Sequence, residues 1–235
     1  MGEATSDFLY PFLEPGRQDP GPLLADLSAS ARSKADESSA LRISTLDDCR
    51  DRIDAAASDI AARLESGGRL LTMGNGGSST DADSLAALFS DPPDRRPLAA
   101  RSLTADQAVI TALANDVGYE LVFSRQVIAF GGAGDVLVGF STSGDSVNLL
   151  RAFAEGRRRG LLTVGFAGYE GGEMASSPDL DHLLLVRSSS IHRIQETQAA
   201  LGLSLWLRVR EILDAPRGRD VRNTRPAAGP GATPT

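Results

Sequence analysis

"RLLTMGNGGSSTDADSLAAL", residues 69–88, decides how the rest of the chain reads. It opens with a short apolar run, breaks into a Gly-rich turn and continues as a helix started by serines. A run apolar at successive positions is buried on both faces, which is the habit of a strand in a parallel sheet. The same grammar returns outward along the chain. "PLAARSL" (97–103), "DVLVGFS" (135–141), "LLTVGFAG" (161–168) and "LDHLLLVR" (180–187) read as further strands. "ADQAVITALAND", "YELVFSRQVIAF", "SVNLLRAFAEGRRRG" and "IHRIQETQAALGLSLWLRVREIL" read as helices. Strand alternating with helix predicts an α/β fold, a parallel sheet with helices on both faces.

Upstream, residues from Leu23 to about Leu64 have a mostly helical pattern, with Leu46, Ile53, Ala57, Ile60 and Leu64 on one stripe and "ESGG" as the stop. Residues 1–20 hold Phe8, Leu9, Tyr10, Phe12 and Leu13 among prolines and read as an arm that packs on something. The stripe over 43–64 and the arm would both be partly exposed in a monomer, so a homo-oligomer is expected. The chain divides into an arm and helix over 1–40, a main domain over 41–213 and a tail over 214–235, whose composition predicts disorder. Net charge is −7 among 235 residues, which argues against a general nucleic-acid binder. No apolar run is long enough to span a bilayer. The N-terminus lacks the basic start of a secretory signal, and the single cysteine, Cys49, rules out an internal disulfide framework. A cytoplasmic protein is expected.

"MGNGGSS" and "FSTSGDS" each follow a strand and precede a helix. Ligands of such sheets bind at the carboxyl ends of the strands, and a helix N-terminus favours an anion. Ser141, Thr142, Ser143 and Ser146 put four hydroxyls around one helix start, a set that suits a phosphate. Gly74, Gly76 and Gly77 allow backbone to approach a ligand. Neither turn has the spacing of a P-loop or a dinucleotide fingerprint, so a small phosphate ester is the expected ligand.

"MGNGGSSTDA", "LTADQAVITALANDVGYELVFSRQV", "GDVLVGFSTSGDSVNLL" and "HRIQETQ" together resemble the sugar isomerase (SIS) domain family over about residues 40–213, most closely its phosphoheptose isomerase branch. The resemblance implies a three-layer α/β/α sandwich on a five-stranded parallel sheet, a homotetramer with sites between subunits, and a phosphorylated sugar of five to seven carbons as ligand. It implies substrate contacts from Asn75, Gly76, Gly77 and Ser78, from Asn115 and Asp116, from Ser141, Thr142, Ser143 and Ser146, and from Gln195.

The family's zinc and acid–base positions depart from the pattern. Where the isomerases carry two histidines and a glutamate, this chain has Ser84, Leu203 and Leu88. An aldose–ketose isomerisation needs a base and a proton donor, and leucine supplies neither. No metal or other cofactor is therefore expected, and the two leucines are expected to bury each other. A sister branch, the initiator-associating proteins, has lost catalytic groups in the same way, so a non-catalytic sensor or assembly factor with a protein partner is the leading reading. The alternative is an isomerase with relocated groups, for which His192 with Glu196 or Asp83 is the candidate pair. Asp81 reads as a charge favoured by the helix start. His182, Cys49 and Trp206 read as structural.

Overall fold

The computed structural model describes residues 21–215. The expected arm over 1–20 lies outside the described residues, as does the expected tail apart from Asp214 and Ala215.

Five strands, β1 (Leu70–Gly74), β2 (Ala100–Ser102), β3 (Val136–Ser141), β4 (Leu162–Gly168) and β5 (His182–Val186), form one all-parallel sheet in the order β2-β1-β3-β4-β5. The strands are short, apolar and, in β1, β3 and β4, buried at every position. Helices cover both faces because the strand residues alternate between two cores. Leu70, Val136, Val138, Phe140, Val164 and Phe166 face a core shared with α2 (Arg50–Glu65), α3 (Gly77–Ser90) and α7 (Ile191–Asp214). Leu71, Met73, Leu137 and Ala167 face the other core, shared with α5 (Val122–Phe130) and α6 (Val147–Arg158) and flanked by α4 (Gln107–Asp116). Phe140 and Phe166, in register on neighbouring strands, stack with centroids 4.3 Å apart. The expected three-layer sandwich, with five parallel strands and a helical N-terminal extension, is what the chain adopts.

The N-terminal helical region is two helices, α1 (Gly21–Asp48) and α2, which part at Cys49. The apolar stripe of α2 does not wait for a partner subunit. Ile53, Ala56, Ala57, Ile60, Ala61 and Leu64 are all buried within the chain, which removes that stripe as an argument for an oligomer. The exposed surface is on α1 instead. Arg193 pairs with Glu37 at 2.5 Å, and Leu46 shares a cleft with Ser204, so α1 runs alongside α7 in the same direction. The turns of α1 before Glu37 extend past the start of α7, and Leu23, Leu24 and Leu27 stand 44–60% exposed there. Among the described residues no helix is long and apolar enough to cross a membrane.

His182 is structural, as the sequence suggests. It sits at the start of β5 with Nε2 2.7 Å from Asp59 Oδ2 on α2, at the opposite end of the sheet from the carboxyl termini of the strands. Cys49 is buried, with its thiol donating to the Leu185 carbonyl. Trp206 is buried in the α7 core.

The entry to the sheet is held by one buried carboxylate. Asp135 is 5% exposed and accepts from the Arg69 backbone N–H at 2.8 Å, Arg69 Nη2 at 2.9 Å and the Gly132 N–H at 3.0 Å. It joins the residues just before β1 and β3. Replacing it with alanine strands the backbone N–H groups of Arg69 and Gly132, while the half-exposed Arg69 guanidinium keeps its bond to the Phe130 carbonyl, so Asp135→Ala should lose about 2–3 kcal/mol of stability in chemical denaturation. A loss below about 0.5 kcal/mol, the scatter of an ordinary surface change, would contradict this account.

Candidate functional site

The strand order reverses between β1 and β3: the chain leaves β1 toward β2 on one side and later returns to β3 on the other. The helices that follow these two strands leave on opposite faces, α3 into one core and α6 into the other. A crevice opens where they part. Asn75, Ser78, Ser141, Thr142, Ser143 and Ser146 meet there, with Phe140, Tyr169 and Ile191, around a cleft of about 220 Å³. Six predicted contact residues are thus brought together.

The chemistry of the cleft follows from what its helix starts lack. The residue before α3 is Gly76, which has no side chain to cap with. Ser146, before α6, directs its hydroxyl to Ser141 Oγ, 3.0 Å away, and makes no capping bond. Leu149 N–H donates to Asn148 Oδ1 and the Ser146 carbonyl, which leaves the N–H groups of Val147 and Asn148 for an anion, with the positive end of the helix dipole behind them. By contrast, α4 starts on Asp106, whose carboxylate caps Val109 N–H. The lining carries no lysine or arginine, so hydroxyls, amides and helix ends are what it offers.

The loop between β3 and α6 is fixed in shape. Gly144 N–H donates to Ser141 Oγ at 3.0 Å, and Asp145 N–H to Ser143 Oγ at 3.1 Å. Met174 N–H donates to the Gly144 carbonyl, and Glu173 N–H to Asp145 Oδ1 at 2.7 Å. Gly144 has φ +79°, and a Cβ there would lie 1.9 Å from the Gly171 carbonyl oxygen. Only glycine fits.

Asn75 is held by residues that the motif reading did not single out. Its amide exchanges two hydrogen bonds with that of Asn148, each 2.9 Å, and its Oδ1 also accepts from the Tyr119 hydroxyl at 2.9 Å. The oxygen is saturated, so Asn75 has one N–H left for a ligand. Gln195 lies against the first turn, and a Cβ on Gly77 would sit 2.5 Å from its Nε2. Gly77 thus serves the approach of α7. Asn115 and Asp116 are exposed at the end of α4, where Asn115 Nδ2 donates to Asp116 Oδ1 at 2.9 Å. They do not line this cleft.

His192 and Glu196 are exposed on α7, and neither lines the cleft. Asp83, their other possible partner, accepts from Thr104 Oγ1 at 2.5 Å. The carboxylate that stands out is Asp81. It lies beyond the first turn of α3, so it is not the helix-start charge that the sequence suggested. Its Oδ2 is buried without a partner, and burial pushes its pKa up to about 6. Periodicity could not reveal this, because the burial comes from α7 and Phe140. Asp81, Ser84, Leu85 and Leu88 of α3, Phe140, and Ala199, Gly202 and Leu203 of α7 line a second cavity of about 70 Å³. Leu88 and Leu203 share this cavity rather than sealing it, since Leu203 remains 45% exposed.

The raised Asp81 pKa sets a pH dependence. The folded chain holds this proton better than the unfolded chain. The stability it contributes is present below about pH 4 and is lost as the pH rises through 6, where a charged carboxylate is left in the cavity. Asp81→Asn should therefore raise stability by about 1–2 kcal/mol at pH 7.5, allowing for partial solvent screening, and by nothing measurable at pH 4. Thermal unfolding at both pH values checks this. An equal effect at the two would contradict it.

Comparison with known proteins agrees with the geometry. The SIS domain family matches residues 35–168. The phosphoheptose isomerase of Solidesulfovibrio magneticus is 44% identical over 172 residues, covering 72% of this chain and 83% of that protein. That of Burkholderia pseudomallei is 48% identical over 143 residues, covering 60% and 72%. The structure of the phosphoheptose isomerase from Neisseria gonorrhoeae superposes with a TM-score of 0.74 at 34% identity, covering 79% of this chain and 99% of that one. With a doubly wound five-stranded sheet, an uncapped Ser/Thr cleft at its switch point and these relatives, the chain belongs to the SIS domain family and is a relative of the phosphoheptose isomerases.

Proposed function

We propose that the protein binds a sugar phosphate of five to seven carbons and serves as a sensor or assembly factor rather than as a phosphoheptose isomerase. One observation carries the binding half: Ser141, Thr142, Ser143 and Ser146 surround an uncapped helix start in a cleft that Asn75 and Ser78 complete. The phosphate takes the hydroxyls and the α6 dipole, and the Asn75 amide takes a sugar hydroxyl. Asn115, Asp116 and Gln195 complete the set of contacts in this reading, the first two across a subunit boundary.

The second half rests on donor chemistry. The positions that resemblance gives to zinc are Ser84, Leu88, Gln195 and Leu203. Two leucines offer no lone pair, Gln195 lies against Gly77, and the cavity wall is mostly hydrocarbon. A serine hydroxyl and an amide are too few ligands for a tetrahedral zinc ion. Among the described residues no group of three or more His, Cys, Asp or Glu side chains could hold a metal. The residues do not fit zinc, and no step is assigned to it.

One observation favours a second reading. Partial burial raises the pKa of the Asp81 carboxyl to about 6, the range of a general base near neutral pH. If the chain isomerises a sugar phosphate, Asp81 is better placed than His192 or Glu196 to move the proton. Calorimetric titration with C5–C7 sugar phosphates, beside a coupled isomerase assay with and without added zinc, separates the readings. We expect a phosphate ester to bind, its unphosphorylated sugar to bind poorly, and Ser143→Ala to lose about 1–2 kcal/mol of affinity. No turnover of sedoheptulose 7-phosphate is expected. Turnover at about 1 s⁻¹ or faster that Asp81→Asn abolishes would establish the second reading. Equal affinity for sugar and sugar phosphate would end both.

We also propose a homotetramer in the cytoplasm, the assembly in which the projecting half of α1 finds its partner. Light scattering at micromolar concentration should give four copies, and Leu24→Glu with Leu27→Glu should lower that number. A monomeric wild type would remove the shared site.

A further inference from the structure

We infer that Asn148 is a positioning residue: it holds the Asn75 amide so that Asn75 can only donate to the ligand, and it ties that donor to the anion seat at the start of α6. The inference rests on the phosphosugar reading and deepens it, since it concerns how the sugar end of the site is oriented. Asn148 is 3% exposed and its side chain does not line the cleft, so it acts through Asn75, which does.

An amide side chain has nearly the same outline either way round, and its role depends on which end meets the ligand. The orientation here is fixed from the backbone of α6. Leu149 N–H can only donate, so the Asn148 atom 3.1 Å from it is the oxygen, Oδ1. The same oxygen accepts from Asn75 Nδ2 at 2.9 Å. Asn148 Nδ2 in turn donates to Asn75 Oδ1, also at 2.9 Å. The Tyr119 hydroxyl can donate or accept, so it follows the amide and does not set it; it donates to Asn75 Oδ1 at 2.9 Å. Both lone pairs of Asn75 Oδ1 are then used, and Nδ2 keeps one hydrogen for the ligand. A reversed Asn75 would set nitrogen against nitrogen and oxygen against oxygen, and would leave the buried Asn148 amide without its two bonds. The ligand therefore has to present an acceptor oxygen there, a hydroxyl or a carbonyl.

Asn148 has a second connection. Its backbone N–H is one of the two that the first turn of α6 leaves for an anion. One residue thus offers a donor to the phosphate and, through its side chain, aims the donor that meets the sugar. The spacing between the two contacts is held by a single side chain.

The test is a double-mutant cycle read by calorimetry with ribose 5-phosphate, sedoheptulose 7-phosphate and inorganic phosphate. Asn148→Leu keeps the branched shape and the backbone N–H but removes both amide bonds. It should lose about fivefold more affinity for the better-binding ester than for inorganic phosphate, the factor expected for one neutral hydrogen bond. Asn75→Ala should show the same excess, and the double variant no more than either alone, because Asn148 acts through Asn75. Tyr119→Phe, at a half-exposed position, should show an excess below about twofold, since Asn148 still orients the amide. Asn148→Ser, which is too short to bridge to Asn75, carries the same expectation if Asn148→Leu does not fold. Equal losses of ester and inorganic phosphate at position 148 would make the side chain a mere support of α6 and overturn the inference. So would fold-losses that multiply in the double variant, or a Tyr119→Phe excess as large as that of Asn148→Leu. If the esters bind but Asn75→Ala shows no excess, the inference falls and the phosphosugar reading stands. If neither the esters nor inorganic phosphate bind, both fall.

Discussion

The site depends on the adjacency of β1 and β3. These strands are parallel and in register, Gly74 opposite Phe140, yet the helices that follow them leave on opposite faces of the sheet. Two backbone exits that diverge from neighbouring strands leave a gap at the sheet edge that neither layer can fill. The chain lines that gap with small hydroxyl-bearing residues, because bulkier ones would close it. The cleft is thus a consequence of strand order, and the serines are what allow it to remain a site.

The cleft proposed for an anion belongs to a chain of net charge −7. Long-range attraction does not supply the binding, so the local arrangement must. The hydroxyls of Ser141 and Ser146 bond each other, and each can turn to a phosphate oxygen. The backbone does not need to move, since Gly144 is pinned by its bonds to Ser141 and Met174. Asn75 is equally fixed by Asn148 and Tyr119. Such preorganisation reduces the ordering cost of binding.

The fold was legible because it is written in local patterns. Each strand of the sheet is an apolar run followed by a turn, and runs such as Val136–Ser141 have no helical reading. The cleft residues were legible for the same reason, since Asn75 and Ser141 sit directly at strand ends. What sequence could not give was long-range contact. Asn148 looks like any helical asparagine until the register of β1 and β3 sets it beside Asn75. Tyr169 follows β4 and enters the cleft only because β4 neighbours β3. The stripe of α2 looked like an interface because periodicity marks an apolar face without saying what covers it; α7 and the sheet do. The exposed leucines of α1 show no such stripe, and only the direction of α1 beside α7 identifies them.

Asp81 shows what an apolar cavity wall does to a carboxyl. A carboxylate beside a metal or a cation is comfortable as an anion. Here Leu85 and Leu88 of its own helix and Leu203 of α7 line its cavity, and burial raises its pKa to about 6. Its aliphatic neighbours cannot hydrogen-bond to it, and Ser84, one turn along α3, makes no recorded bond to it. The proton is then what neutralises the group, so the cavity holds a neutral acid below about pH 6 and an uncompensated anion above it.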